Sequence, residues 1–244
     1  MSGAGGGKKI LFGGSGRLGK EFLRLYPRYL APGHRDVDIT DAARVREYLH
    51  DIGACCVIHA AAVVGAGETE ADPDGAYRVN VLGTEAVART CGEIGARLVY
   101  VGTAAVFDGK KGMYAEQDIP RPAYFYGWLK LMGEQAVRMT RNWAVMRTDF
   151  FTPGAFKYRR VYTDHYCSKL PVSMTARALE AILRSDYRGV IHVGGPRDTL
   201  FNIIRSYDPS VEGITVSGSD MPDFPGDLSL NTTLFRSRFP GILP

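Results

Sequence analysis

The feature that most narrows what this chain can fold into is an alternation of short apolar runs with longer amphipathic stretches, repeated through its first 150 residues. Lys8–Gly13 (KKILFG) reads as a buried strand, followed by a Gly-rich turn and a helix to about Tyr26. Tyr29–His34 predicts a second, poorer strand, and Thr40 caps a helix running to Asp51. Cys55–His59 is a third strand. Asp72-Pro73, an N-cap followed by Pro in the first turn, opens a helix that runs to Cys91-Gly92. Arg97–Gly102 is the fourth strand, Tyr124–Arg141 a helix, and Trp143–Arg147 the fifth strand. Alternation at this spacing predicts parallel βαβ units and, by the crossover rule, a doubly wound α/β sheet covered on both faces.

The second half is less regular. Ser173–Arg184 predicts a helix, Gly189–Gly194 a late strand returning to the core sheet, and Asn231 the cap of a short last helix. Phe150–Leu170 and Gly213–Leu230 carry aromatics, Pro and Gly without periodicity, as a substrate lid over an α/β core does. The expected organisation is a flexible leader over residues 1–7, a nucleotide-binding core over 8–150 and a small substrate lobe over 151–244.

A 45% hydrophobic content in 244 residues excludes disorder. The most apolar stretches, Ala54–Gly67 and Leu98–Phe107, fall short of the roughly 20 residues of a membrane span. No secretory signal is visible, so a cytoplasmic protein with reduced Cys55, Cys56, Cys91 and Cys167 is expected. The net charge of +4 is spread evenly, and its one small basic cluster, Lys157-Tyr158-Arg159-Arg160, does not make a nucleic-acid patch. No His, Cys or acidic spacing fits a metal. His59 and His192 lie inside apolar strands and read as core residues.

Gly13-Gly14-Ser15-Gly16-Arg17-Leu18-Gly19 satisfies G-x-G-x-x-G, which chance supplies about 0.4 times in a chain this rich in Gly. Its position, after the first strand and opening the first helix, is what a dinucleotide site of the Rossmann type needs. Glycine permits the tight turn, lets backbone N–H groups approach a pyrophosphate, and packs the helix close to the strand. About 20 residues on, Gly33-His34-Arg35-Asp36 offers Arg35, with Arg17, for a 2′-phosphate, and Asp36 for a ribose hydroxyl. NADP is favoured over NAD.

Tyr126 and Lys130 stand at i and i+4, on one helix face. A phenol whose pKa is lowered by a neighbouring cation can give a proton to an alkoxide developing at a carbonyl. The helix follows the strand ending Gly102-Thr103, and ligands bind at the carboxyl ends of such strands, so the Thr103 hydroxyl would face the same crevice.

With these residues in this order, the chain resembles an extended short-chain dehydrogenase/reductase, and within it the dTDP-4-dehydrorhamnose reductase group. The further matches are Asp36–Asp41, Val57–Ala62, Val79–Thr84, Val106–Gly109 and Glu116 through Tyr126 to Lys130. The resemblance implies Tyr126 as general acid, Lys130 lowering its pKa and holding the nicotinamide ribose, and Thr103 orienting the keto group. It implies Asp38 and Ile39 by the adenine, Ala60, Ala61 and Ala62 with Gly102 along the cofactor, and Asn80 in support. It also implies reduction of a keto group, at C4, on a nucleotide-linked deoxysugar. An epimerase of the same superfamily and a non-catalytic, cofactor-binding regulatory relative are the alternatives. A homodimer is left open.

One departure stands out: the group carries Asp-Tyr after the Thr, where this chain has Ala104-Ala105. That argues against a dehydratase, whose elimination needs its own acid and base. Candidate substrate contacts are Ala104, Val106, Phe150, Phe151 and Arg197, with Phe156 either lid or core. Arg147 is a further candidate for a substrate diphosphate, or else a capping or surface arginine.

Overall fold

The computed structural model describes residues 7–156, 158–218 and 224–243. Of the expected leader only Gly7 is among them; Lys157 and part of the second lid loop lie outside. The chain runs β1 (Lys8–Phe12), α1 (Arg17–Leu25), α2 (Ala42–Asp51), β2 (Ala54–His59), α3 (Ala66–Ala71), α4 (Pro73–Tyr77), α5 (Thr84–Ile94), β3 (Arg97–Val101), α6 (Phe125–Arg138) and β4 (Trp143–Thr148). Short strands follow: β5 (Phe150–Phe151), β6 (Arg160–Tyr162), β7 (Tyr166–Cys167) and β8 (Leu170–Pro171). The chain then continues as α7 (Val172–Arg184), β9 (Gly189–Val193), β10 (Asp198–Thr199), α8 (Leu200–Arg205), β11 (Glu212–Ile214) and α9 (Thr233–Arg238).

The central sheet is parallel throughout, in the order β1-β2-β3-β4-β9. Apolar residues cover it on both faces. One layer packs Leu18 and Phe22 of α1 with Ala176, Leu179 and Ile182 of α7 and Phe235 of α9. The other packs Val45 and Leu49 of α2 with Val87 and Cys91 of α5 and Val137 of α6. The late strand joins this sheet in register Val145↔Val190 and Met146↔Ile191.

The predicted second strand is reduced to one bridge. Leu30 donates its N–H to Lys9 O (2.9 Å) and accepts from Leu11 N (2.8 Å). Pro32 and Gly33 follow, and a proline has no N–H with which to extend the ladder. The cap of α2 shifts by one residue: Asp41 accepts from Arg44 N at 3.0 Å, whereas the Thr40 hydroxyl donates to Asp38 at 2.8 Å. Asp72 caps α4 as expected, accepting from Gly75 N at 2.9 Å. The helix opened there is interrupted by a wide π-helical turn, Arg78–Gly83, and α5 ends at Gly95 in the left-handed region (φ +71°). The last helix starts one residue later than expected: Thr232 stands at its N-cap without a side-chain cap bond, and Asn231, one residue earlier, accepts from Thr233 N at 2.9 Å.

Arg147, offered as a diphosphate ligand, instead faces the interior from β4. It donates to Glu134 of α6 through Nε (2.9 Å) and through an Nη (2.7 Å), and both side chains are fully buried. The strand's alternation turns position 147 to the α6 face and position 148 to the other. His192 beside it is held neutral by burial, its pKa pushed down to about 3. Removing one member of a buried ion pair strands the other charge. Arg147→Met is therefore expected to destabilise the chain by about 3–5 kcal/mol, read as a lower urea midpoint at unchanged slope.

Candidate active site

The Gly-rich turn leaves no room for side chains. Gly13 takes φ +91°, and a Cβ there would stand 2.5 Å from Ala61 N at the end of β2. A Cβ on Gly19 would stand 2.2 Å from Gly13 O. The N-terminus of α1 carries no side-chain cap at Gly16 and no acidic residue in its first turn. Its free N–H groups and partial positive charge meet a cavity of about 1170 Å³. That volume exceeds the usual range for one small ligand and suits an extended one.

The same cavity reaches the carboxyl ends of β3 and β4, where Gly102, Thr103, Ala104, Ala105, Tyr126 and Lys130 line it. Thr103 leads into a single 3₁₀ turn (Ala104–Val106), its hydroxyl accepting from Ala105 N at 3.1 Å. The α6 helix is seated against that turn without clearance. A Cβ on Gly127 would lie 2.1 Å from Ala105 O, and one on Gly133 would lie 2.6 Å from the Tyr100 hydroxyl. This close approach places the Tyr126 phenol beside the Thr103 hydroxyl, in the same cavity. Burial pushes the Tyr126 phenol up to about 12, the Thr103 hydroxyl opposing.

Lys130 lies one turn further along, almost wholly buried, its Nζ 4.1 Å from the centroid of the Tyr100 ring. Burial lowers its pKa to about 7, with Glu134 opposing. The expected lowering of Tyr126 by Lys130 is thus reversed in direction in the protein by itself. Desolvation weighs on both groups, and the ammonium faces an aromatic ring.

Of the other proposed cofactor residues, Gly13, Gly16, Arg17, Leu18, Gly19, Ala60 and Ala62 line the cavity. Gly14, Ser15, Ala61, His34, Arg35, Asp38, Ile39 and Asn80 do not. Gly14 instead admits Ala31, whose Cβ would be 2.8 Å from its own. His34 and Arg35 are exposed, and Asp38 accepts from Thr40 N at 2.9 Å. Ile39 is buried, packed on Gly83 of the π-helical turn. The Asn80 amide donates to Val63 O and accepts from Val63 N, both at 2.8 Å, and so pins the loop after β2.

Among the substrate candidates, Ala104, Phe150, Phe151 and Phe156 line the cavity. Val106 does not: it is fully buried in a separate cluster with Phe107, Tyr114 and Leu230. Arg197 is also elsewhere, paired with Asp227 at 2.7 Å and stacked 3.8 Å from the Tyr166 centroid. Sequence reasoning passed over Asp149, Arg160, Tyr162, His165 and Lys169, all of which line the cavity. Asp149 had a signal, since it follows directly on β4, at the sheet end where ligands bind.

Among the described residues, no cluster of three His, Cys or acidic groups gathers for a metal, and no helix is long and apolar enough to cross a membrane.

Because burial lowers Lys130 from the ordinary lysine range to about 7, the unfolded chain holds the extra proton above that pH. Stability from this group therefore rises with pH from 7 upward. Above about pH 9, the buried thiols of Cys91 and Cys167, pushed up to about 12, begin to oppose it. Lys130→Met is expected to flatten the rise in melting temperature between pH 7 and 9. An unchanged slope would mean that Lys130 is not desolvated in solution.

The RmlD substrate binding domain model matches residues 8–153. Methionine adenosyltransferase 2 subunit beta from Rattus norvegicus is 35% identical over 120 residues, 49% of this chain and 34% of that protein. The dTDP-4-dehydrorhamnose reductase of Streptomyces griseus is 35% identical over 133 residues, 52% of this chain and 44% of that one. The chain thus spans less than half the length of these curated relatives. Among solved structures, dTDP-4-dehydrorhamnose reductase from Bacillus anthracis in complex with NADP superposes with a TM-score of 0.85 at 24% identity, over 98% of this chain and 94% of that one. A hypothetical dTDP-4-dehydrorhamnose reductase from Sulfolobus tokodaii gives a TM-score of 0.82 at 25% identity, over 94% of each chain. The family match covers more than half of the sequence, and it spans the glycine turn, Thr103, Tyr126 and Lys130; the chain belongs to the RmlD substrate binding domain family.

Proposed function

We propose that this chain is a nicotinamide-dependent reductase of a keto group on a nucleotide-linked deoxysugar, with reduction at C4. The observation that carries the reading is Thr103 and Tyr126 side by side, one helical turn from a buried lysine, in a cavity continuous with the glycine turn. The glycine turn fits a dinucleotide: its Cβ-free backbone and the uncapped start of α1 form a cradle for a diphosphate.

When bound, the cofactor supplies the hydride. The remaining work falls to this chain's own groups. The Thr103 hydroxyl holds the keto oxygen, and Tyr126 gives its phenolic proton to that oxygen as negative charge develops. A phenol raised to about 12 is fully protonated at neutral pH, as an acid for reduction has to be. Lys130, no longer solvated, is placed to hold the nicotinamide ribose and to carry charge near the phenol. Phe150, Phe151 and Phe156 give the cavity an apolar wall.

NADP is the cofactor favoured. Asp36 is turned onto its own loop, accepting from Gly33 N at 2.8 Å, and Asp38 is engaged by Thr40. Arg35 stands exposed beside them, its guanidinium open to a 2′-phosphate.

The relatives named as subunit beta favour a second reading, in which the same fold binds a nucleotide and partners a methionine adenosyltransferase catalytic chain. Two measurements separate the readings. Oxidation of NADPH with a dTDP-4-keto-6-deoxysugar is expected, and Tyr126→Phe is expected to lower kcat by about 10²–10⁴ while NADPH affinity holds. Absence of turnover, with co-elution alongside a methionine adenosyltransferase catalytic chain, would replace the first reading by the second.

A further inference from the structure

The wall of the cavity holds an ion pair that no local motif announces. Asp149 follows the last residue of β4, and Lys169 precedes β8. The Lys169 ammonium donates to Asp149 Oδ1 at 2.5 Å, and Leu170 N donates to Asp149 O at 3.1 Å. The ladder Phe150↔Leu170 and Phe151↔Pro171 fixes the two segments in register, so that backbone pairing sets the position of the pair.

Both side chains line the cavity shared by Thr103 and Tyr126, and they retain 28% and 18% of their exposure. A half-sequestered ion pair of this kind adds little net stability. It keeps chemical capacity in reserve: the ammonium has three donors and the carboxylate two oxygens, and their mutual bond uses one of each. A second polar group lies beside them. The Thr148 hydroxyl, on the residue before Asp149, is 3% exposed, lines the same cavity and has no hydrogen-bond partner among the described residues. The wall formed by Ala104 and Ala105 next to Thr103 offers no side-chain polar group at all. Polar recognition of a ligand near the reacting carbon is thus open to the wall that carries Thr148, Asp149 and Lys169, beside Arg17, Arg160, Tyr162 and His165 of the same cavity. The Asp149 charge also reaches the Tyr126 phenol and, against the opposing charge of Arg17, adds to the burial that holds it protonated.

We propose that Asp149 and Lys169 are the specificity pair of this cavity: they grip a hydroxyl on the carbon next to the carbonyl that Thr103 and Tyr126 hold, Asp149 accepting from it and Lys169 donating to it. The substrate class is thereby narrowed to an α-hydroxy ketone. The placement of the carbonyl rests on the reductase reading.

The test is calorimetric binding of two probes to the full chain with NADP present: a dTDP-linked 6-deoxyhexose and its 3-deoxy counterpart, with dTDP alone as reference. The wild type is expected to bind the 3-hydroxy sugar about 10- to 100-fold more tightly, the range for a hydrogen bond to a charged group. Asp149→Asn and Lys169→Met are expected to bind both sugars alike, with dTDP affinity unchanged. A wild type that does not discriminate overturns the pair without recourse to any variant, and so do variants that keep the discrimination. NADPH oxidation separates this from the larger reading. A wild type that discriminates in binding yet oxidises no NADPH keeps the pair and loses the reductase. One that reduces the 3-hydroxy and 3-deoxy ketones equally well keeps the reductase and loses the pair.

Discussion

The contact between α6 and the sheet is the constraint on which the site depends. Two glycines, Gly127 and Gly133, let the helix backbone touch the Ala105 carbonyl and the Tyr100 hydroxyl, where a methyl group would stand within 2.1 and 2.6 Å. The buried Arg147–Glu134 pair ties the same helix to β4. Tyr126 and Lys130 ride on this helix, so their distances from Thr103 and from the cavity follow from its seating. Cores are close-packed, and a helix shifted by the width of a methyl group would separate the phenol from its hydroxyl partner.

Burial is what gives the site its acid–base character. Lys130 and Tyr126 are both desolvated, and each is driven toward its neutral form, the amine down to about 7 and the phenol up to about 12. An amine poised near neutrality responds strongly to a negative charge brought beside it. A phenol held protonated is a proton source and not a base. Ala104 and Ala105 add an apolar wall beside Thr103, and the Asp149–Lys169 pair lines the same cavity.

How much of this the sequence discloses depends on whether a feature is local. The glycine turn, the Tyr–Lys spacing and the Thr at the end of a strand are each set within a few residues of chain, and the structure brings them into one cavity. The strand at Tyr29–His34 fails because Pro32 removes a donor, a reason written in the sequence but outweighed there by the apolar run. Arg147 and Val106 are misjudged because proximity to a strand end does not tell which face a side chain takes. Arg197 is drawn away by Asp227 and Tyr166, partners 30 and 31 residues distant. The Asp149–Lys169 pair exists only through the pairing of two short strands, and no spacing rule reaches it.

The lone bridge at Leu30 bears on how the molecule behaves in a crowded solution. With the second strand reduced to one residue, the outer margin of β1 is met only at Leu30 among the described residues, and a margin so thinly covered invites another chain to add itself to the sheet. Lys8 and Lys9 occupy the start of that margin, Lys8 exposed and Lys9 with its ammonium 5.7 Å from the centre of the Tyr29 ring. An incoming strand would have to desolvate two cations to dock there. The positive charge at the start of β1 thus guards against aggregation at the place where the fold gave up a strand.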